Sequence, residues 1–232
     1  MLEASHCLLP PVIPYRGVRD PVQSIGSSAR FFVTGSKQRS FCPNEEIFGE
    51  GQRAEYLYKI IRGTVRSYKS LSDGGRKIEA FRLRGEVFGF ETGGEHSFGA
   101  EAIDDVCVLI ARRFSFAETD QAAREELWRV VTNELDRVQK HALLLARNAR
   151  QRLASFLLEM SQRLNMSRIL DLPMSRQDIA DYLGLTIETV SRKLTEFEAK
   201  GVIRRPTPQQ ITLVDPIALL RLAGIAATGQ VN

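Results

Sequence analysis

The chain has 232 residues, 43% of them hydrophobic, which suffices for one large domain or two modest ones, and we expect two. Its net charge is +4, and residues 146–205 contain eleven Lys and Arg against seven Asp and Glu, as a phosphate-binding surface requires. There is no run of about 18 apolar residues and no basic start followed by an apolar signal core. The composition therefore argues against a membrane or exported protein and predicts a cytoplasmic one.

Three cysteines lie far apart, at Cys7, Cys42 and Cys107. Their odd number argues against a disulfide framework, and their spacing argues against a zinc or iron–sulfur site, because no two fall within the short intervals that place ligands on one loop. Cys107 lies in VCVLIA, which we expect to be a buried strand with a core thiol. Cys42 precedes Pro43 at a predicted strand end, and whether Cys7 or Cys42 responds to oxidants is left open.

The first 116 residues divide into two segments. Residues 1–27 are rich in proline and lack periodicity, so we expect a flexible arm. Residues 28–116 contain short apolar runs, such as EYLYKIIRGTVRSY, which are typical of strands in a small all-β barrel or roll. The Asp-Gly-Gly of Asp73–Gly75 predicts a hairpin between two of these strands. Further turns are predicted at Gly63, Gly85 and Gly93–Gly94.

A long helix is predicted from about Gln121 to Arg147, within a segment that we bound at 117–148. Its apolar residues recur at steps of three and four, which is a heptad seam. So narrow a stripe suits pairing with a second copy of the helix, and we expect a homodimer. The alternative is that the stripe packs against the β domain of the same chain. The seam comprises Trp128, Val131, Leu135, Val138, Ala142 and Leu145.

Residues 149–232 are predicted to form a DNA-binding domain around a helix-turn-helix. Ser175 and Asp178 resemble a capping pair at the start of its first helix, Gly184 suits the chain reversal, and Thr186 can cap the second helix. The residues expected to face the core are Ile179, Ala180, Leu183, Val190, Leu194 and Phe197.

Other elements are predicted around this motif. RLASFLLEMSQRL predicts a helix that leads into a connector at Ile169–Pro173, and VIRRPTPQQITLVD predicts a β-hairpin wing. Pro216–Ala223 is apolar enough for a last packing helix. Near the tip of the wing, Arg204 and Arg205 suit either a flanking phosphate or a solvated charge pair equally.

The solvent-facing side of the second helix carries Glu188, Ser191, Arg192 and Thr195. An arginine can donate a fork to guanine, a glutamate can accept from the cytosine amino group and a serine can do either, so this face suits reading of bases in a major groove. The alternative is that Glu188 and Arg192, four residues apart, form an exposed intrahelical pair worth about 0.3 to 0.5 kcal/mol.

These segments predict an α+β protein with an N-terminal β-roll of the jelly-roll, cyclic-nucleotide-binding-like type, a dimerisation helix and a C-terminal winged helix-turn-helix. In this order they resemble the superfamily of the cyclic-AMP receptor and FNR (CRP/FNR) over about residues 28–225. The most specific part is IETVSR, at Ile187–Arg192, which resembles the E-x-x-S-R signature of the FNR branch; GEVFGFETGGEH is most similar to the FixK subgroup. The resemblance implies a transcription regulator, expected to be an activator, with DNA and RNA polymerase as partners. FixK-like proteins act on genes for low-oxygen respiration, denitrification and nitrogen fixation.

Two departures from the family reduce the number of ways in which the protein is expected to be regulated. FNR sensors hold an iron–sulfur cluster on several N-terminal cysteines, whereas this arm has only Cys7, so we expect no cluster. Cyclic-nucleotide binders clamp the phosphate with an arginine beside a serine or threonine, whereas HSFGAEAID has no such arginine and its Glu101 is expected to repel an anion. We therefore expect no cofactor, as in FixK-like proteins, which resemble regulators controlled by their own synthesis.

The resemblance also implies the operator, a palindrome with TTGA and TCAA half-sites one helical turn apart. In each half-site Arg192 is expected to donate to the guanine and Glu188 to accept from the paired cytosine, while Ser191 and Ile187 lie against thymine. The residues expected to hold phosphates are Ser175, Arg176, Gln177, Thr186, Thr189 and Lys193.

Other classes of function fit less well. A sensor module, in which the β-roll binds a small molecule that gates DNA or protein binding, explains the roll but not the base-reading face. An enzyme is disfavoured because His6, His96 and His141 fall in the arm, a loop and the seam helix, with no base–nucleophile pair. His96, beside Glu95, is expected to lie on a solvated loop.

Overall fold

The computed structural model describes residues 36–72, 74–113 and 121–225, and the arm predicted at residues 1–27 lies outside them. The strands that precede the long helix form the β-roll. They are β1 (Lys37–Phe41), β2 (Glu46–Phe48), β3 (Tyr56–Arg62), β4 (Val65–Ser70), β5 (Arg76–Arg82), β6 (Val87–Phe88), β7 (Gly99–Ala102) and β8 (Val106–Arg112).

These strands form two antiparallel four-stranded sheets, ordered β1-β8-β3-β6 and β2-β7-β4-β5. Side chains from both sheets meet in one core, which includes Phe41 of β1, Phe48 of β2, Ile60 of β3 and Val65 of β4. This double-sheet arrangement confirms the predicted roll. β4 and β5 pair as the predicted hairpin, although Asp73 of its turn lies outside the described residues.

Two side chains of the roll differ from expectation. His96 is only 2% exposed and stacks on Phe48, with ring centroids 3.6 Å apart, so the prediction of a solvated loop is wrong. The aromatic core of the roll buries the imidazole ring. Cys107 is half-buried instead of a core thiol, because the two-residue alternation of β8 turns Val106 and Val108 inward.

Two helices follow the roll, α1 (Gln121–Leu145) and α2 (Ala149–Arg163). The first confirms the predicted long helix, with an end two residues earlier. α2 begins with a capping box, in which Asn148 Oδ1 accepts from the Gln151 backbone N–H at 3.0 Å and the Gln151 side chain accepts from the Asn148 N–H. Only residues 146–148 separate the two helices.

The C-terminal part is a winged helix-turn-helix. Its elements are β9 (Ile169–Asp171), α3 (Arg176–Leu183), α4 (Ile187–Ala199), β10 (Ile203–Arg204), β11 (Gln210–Leu213) and α5 (Pro216–Leu222). The predicted wing hairpin is confirmed, but the predicted connector contains β9, so the sheet has three strands in the order β10-β11-β9. β9 is stabilised by pairing with β11, some 40 residues later, with Leu170 opposite Ile211, and a local pattern does not reveal such a partner.

One continuous apolar core joins the helix-turn-helix to the rest of the chain. It contains Phe81 of β5, Leu144 of α1, Phe156 of α2 and Tyr182 of α3. The rings of Phe81 and Tyr182 lie 5.1 Å apart, so α3 packs directly on the roll. No helix in the described parts of the chain has both the length and the apolar character required to cross a bilayer.

Candidate DNA-binding site

The first helix of the motif, α3, is defined at both ends by its own sequence. Ser175 Oγ accepts from the Asp178 backbone N–H at 3.0 Å, and Asp178 Oδ2 accepts from the Ser175 N–H at 2.9 Å, which confirms the predicted cap. Gly184 follows the helix with a φ of 60°, a left-handed conformation that favours glycine. The chain can therefore turn sharply into the second helix.

The second helix, α4, is fixed in its rotation about its own axis. Thr186 caps it by accepting from the Thr189 N–H at 3.2 Å. Val190, Leu194 and Phe197 are fully buried, as predicted from their helical spacing. Burial of three large apolar side chains on one side determines which residues face solvent on the other.

The opposite side of α4 presents the expected base-reading residues. Glu188, Ser191 and Arg192 are exposed, and Ile187 is 38% exposed. Within the described part of the chain, Glu188 and Arg192 do not form the intrahelical ion pair that was the alternative. Hydrogen bonds from its own backbone N–H and from the Thr186 hydroxyl lower the pKa of Glu188, so an ionised acceptor faces solvent beside the arginine fork.

The residues expected to hold phosphates lie at the starts of α3 and α4, except Lys193, which lies one turn further along α4. All six make hydrogen bonds within the protein. Arg176 Nη2 donates to the Pro208 carbonyl of the wing at 2.7 Å. Gln177 Nε2 donates to an aspartate one turn later at 2.6 Å, and Lys193 Nζ lies 2.7 Å from Glu196 Oε2. The others are two capping hydroxyls and a neighbour, Ser175, Thr186 and Thr189.

The two arginines of the wing differ in their surroundings. Arg205 donates to Glu198 Oε2 from Nε at 2.9 Å and from Nη2 at 2.6 Å, which attaches the start of the wing loop to α4. Burial and the nearby charge of Arg205 lower the pKa of Arg176. Arg204 is exposed, so it is better placed than Arg205 to approach a flanking phosphate.

The heptad seam of α1 lies largely uncovered in a single subunit. Trp128 is 70% exposed, Val131 43%, Leu135 55% and Val138 46%. Packing against the β domain of the same chain does not account for these exposures. At the C-terminal end of the seam Ala142 is exposed. Leu145 is half-buried, because α1 there meets the helix-turn-helix.

A cleft of about 210 Å³ lies between the roll and α1. Two charged side chains of its lining are paired, because Arg82 Nη2 donates to Glu134 Oε1 at 2.9 Å. Behind the lining, Arg137 Nε donates to Glu134 Oε2 at 3.1 Å and extends this ion-pair network. Burial alone raises the pKa of Glu134, but the hydrogen bonds from Arg137 and Arg82 outweigh it and lower the pKa to about 2. The network also includes Glu79, which pairs with both arginines.

Glu101 does not line this cleft. Its carboxylate pairs with Arg66, beside α3, so the prediction that Glu101 repels an anion in the roll is wrong. The carboxylates that line the cleft are those of Glu79, Glu91 and Glu134, of which Glu79 and Glu134 are paired with arginines.

Sequence reasoning missed the side chains that fix the motif from outside. Asp178 Oδ1 accepts from Arg66 Nη1 at 3.1 Å and from Arg76 Nη2 at 2.5 Å, both on the roll. These arginines precede Asp178 by 112 and 102 residues, and the sequence carries no local signal for such pairs. A second such side chain, Arg152, contacts the turn between α3 and α4.

Comparisons with known proteins agree with this architecture. Residues 38–121 match the cyclic nucleotide-binding domain family, and residues 151–222 match the Crp-like helix-turn-helix domain family. The chain is 46% identical to a nitrogen fixation regulation protein FixK of Azorhizobium caulinodans over 191 residues, which are 78% of this chain and 77% of that protein. It is 41% identical to the FixK protein of Rhizobium meliloti over 184 residues, 79% of this chain and 85% of that protein.

The fold is similar to that of a solved relative. The structure of FixK2 from Bradyrhizobium japonicum superimposes with a TM-score of 0.76 at 44% identity, over 84% of this chain and 99% of that one. The chain therefore belongs to the CRP/FNR family of DNA-binding transcription regulators, which are not enzymes, and is FixK-like within it.

Proposed function

We propose that this protein is a homodimeric transcription activator that reads TTGA-N6-TCAA-type palindromes without a bound cyclic nucleotide or iron–sulfur cluster. It acts in the cytoplasm, together with RNA polymerase. The exposed face of α4 carries this proposal, because Glu188 and Arg192 project from a helix whose rotation is fixed by its buried side.

Base reading follows from the chemistry of that face. Arg192 donates two parallel hydrogen bonds to guanine, and Glu188 accepts from the amino group of the paired cytosine, so that one base pair is read from both strands. Ile187 and Ser191 lie against thymine on the same face. The starts of α3 and α4 and the second turn of α4 hold flanking phosphates. The residues that hold them are Ser175, Arg176, Gln177, Thr186, Thr189 and Lys193.

Dimerisation follows from the uncovered seam. A stripe that includes Trp128, Val131, Leu135 and Val138 is costly to leave in water and has the spacing at which two helices interlock. A two-fold dimer presents two copies of α4 to successive major-groove faces, about 34–36 Å apart, and this matches a palindrome. All the residues of the seam, including Ala142 and Leu145, form the interface of this dimer.

Independence from a cyclic nucleotide is supported by the cleft between the roll and α1. Its volume of about 210 Å³ lies below the roughly 300 Å³ at which ligand pockets usually begin. A cyclic phosphate placed there meets the carboxylates of Glu79, Glu91 and Glu134, while the guanidinium of Arg82 is already paired. Such a lining does not offset the free-energy cost of removing a phosphate from water.

The physiological setting follows from the relatives. Two FixK proteins named as regulators of nitrogen fixation share more than 40% of the aligned residues with this chain. We therefore assign to it genes of low-oxygen respiration, denitrification or nitrogen fixation.

The alternative, a roll that senses a small molecule, has one observation in its favour. A second cavity of about 330 Å³ lies between the roll and the start of α1, with Leu57, Phe90, Leu127 and Val131 in its lining. Its lining suits an apolar ligand. Such a ligand would gate the DNA-binding activity.

Fluorescence anisotropy tests the proposal directly. Purified protein, with no added small molecule, is titrated into a TTGA-N6-TCAA duplex and into a scrambled duplex of the same composition, at several salt concentrations. We expect tight binding to the palindrome and binding at least about a thousandfold weaker to the scrambled duplex. Equal affinities for the two duplexes would reject effector-independent reading.

A further inference from the structure

Two arginines make hydrogen bonds across the junction between the dimerisation helix and the DNA-binding domain, and one of them, Arg152, binds carbonyls near the ends of both α1 and α3. α1 ends at Leu145 and α2 begins at Ala149. Arg152, in the first turn of α2, reaches back across this gap: its Nη2 donates to the Leu145 carbonyl at 2.7 Å and its Nε donates to the Arg147 carbonyl at 2.7 Å. The Leu145 carbonyl is one of those at the C-terminal end of α1 that have no partner within the helix, and Arg147 follows in the linker.

The same guanidinium also binds the turn of the helix-turn-helix. Arg152 Nη1 donates to the Leu183 carbonyl at 2.9 Å and to the Gly184 carbonyl at 3.1 Å. Leu183 ends α3, and Thr186 caps α4 two residues after Gly184. A single planar cation thus sits at the negative ends of two helices, α1 and α3, and satisfies carbonyls of both.

Arg147 Nη1 donates to Ser155 Oγ at 2.9 Å and to the Ala223 carbonyl at 3.2 Å, neither of which belongs to the turn. The neighbouring contacts between α1 and the helix-turn-helix are apolar. The His141 ring of α1 lies 4.2 Å from the Tyr182 ring of α3, and Leu144 is buried in the core of the DNA-binding domain. Such contacts hold the two surfaces together but are non-directional. The forked hydrogen bonds of Arg152 are directional, and they fix where the turn lies relative to the end of α1.

From this geometry we propose that Arg152 is the positioning residue that sets the half-site spacing which the dimer accepts. The inference rests on the proposed function, in which α1 forms the dimer axis and α4 reads the bases. Two reading helices match a palindrome only when each is held at a fixed distance and angle from the axis. Arg152 connects the end of the axis helix to the turn that precedes the reading helix.

The test compares spacing preference with half-site affinity. The wild-type protein, Arg152→Lys and Arg152→Gln are titrated into duplexes with N5, N6, N7 and N8 spacers and into a duplex with a single TTGA half-site, at low salt so that weak binding is measurable. Lysine keeps the charge but loses the planar fork. Arg150→Gln is the matched control, because it removes an exposed arginine from the same turn of α2.

We expect the wild type and Arg150→Gln to prefer the N6 spacer alike. Both Arg152 variants should keep half-site affinity within about twofold and lose at least about tenfold of the N6 preference, in line with the loss of hydrogen bonds to a charged group. Retention of the full N6 preference in both variants would overturn the proposal. Parallel loss of half-site and palindrome binding in both would also overturn it, since Arg152 would then only maintain the fold. A wild type that does not distinguish the palindrome from scrambled DNA would instead count against the proposed function.

Discussion

Asp178 Oδ1 accepts a hydrogen bond from Arg66 Nη1 at 3.1 Å, across the boundary between the helix-turn-helix and the β-roll. Both side chains are buried, with 2% and 8% of their surface exposed. The same carboxylate caps α3 through its other oxygen. One buried group therefore stabilises the start of the motif and attaches it to the roll.

Replacement of Asp178 by alanine should destabilise the protein strongly. The change leaves Arg66 buried without its full set of partners and removes the cap, so we expect the free energy of unfolding to fall by about 3–5 kcal/mol in urea titrations. Asp181→Ala is the control, because the partners of Asp181 are the more exposed Arg76 and the exposed amide of Gln177, and its loss should cost less. A loss below about 1 kcal/mol for Asp178→Ala would contradict the attachment.

Local patterns predicted the elements that depend on neighbouring residues. The caps of Ser175 and Thr186, the left-handed Gly184 and the buried spacing from Val190 to Phe197 are all encoded within a few positions. The heptad seam is equally local.

What the sequence did not predict depends on residues distant in the chain. The bond of Arg152 to the Leu183 carbonyl, the pair of Asp178 with Arg66 and the strand β9 require partners more than 30 residues away. His96 was misjudged for the same reason, because Phe48, on which it stacks, comes from another strand.

Replacement of Arg192 by alanine should weaken binding to the palindrome by about 1–3 kcal/mol and relax the preference at the G·C pair, because the fork to guanine is lost. Anisotropy titrations of duplexes with that pair changed to each alternative measure the preference. Equal losses on the palindrome and on scrambled DNA would reject Arg192 as a base reader.

Replacement of Lys193 by alanine should weaken binding to all sequences alike and flatten the salt dependence, because one fewer DNA phosphate per subunit is neutralised. The slope of log K against log salt should fall by about 1 for each such phosphate. Lys200→Ala is a matched control, because Lys200 pairs with the same Glu196 at 2.7 Å but lies outside the expected phosphate-binding set. The Lys200→Ala control should keep the wild-type slope. A wild-type slope for Lys193→Ala as well would mean that Lys193 does not bind a phosphate.

Replacement of Leu135 by glutamate should dissociate the dimer, since it places two carboxylates face to face at the seam. Light scattering should give a mass close to the 26.1 kDa of one chain. Leu143→Glu is the control: Leu143 is 68% exposed on the same helix but outside the seam, and this variant should remain a dimer. A Leu135→Glu protein that still has the mass of two chains would reject the seam of α1 as the dimer interface.

Acidification should destabilise the junction between α1 and α3 through His141. Burial and then the charge of Arg137 lower the pKa of His141 from 6.5 to about 4, against a weaker opposing effect of Glu79. Between these two pH values the unfolded chain binds a proton that the folded protein excludes, so the free energy of unfolding falls as the pH drops from about 6.5 to about 4. His141→Phe keeps a ring against Tyr182 and cannot titrate.

The measurement compares urea unfolding at pH 7.5 and pH 5 for the wild type and His141→Phe. We expect the loss of stability at pH 5 to be about 1–2 kcal/mol smaller in the variant, because each pKa unit corresponds to about 1.4 kcal/mol and the shifted window is only partly titrated. A residual loss should persist in both proteins, since burial also lowers the pKa of His96. Identical losses in the two proteins would mean that the His141 ring is hydrated in the folded state and that its contact with Tyr182 does not exclude the proton.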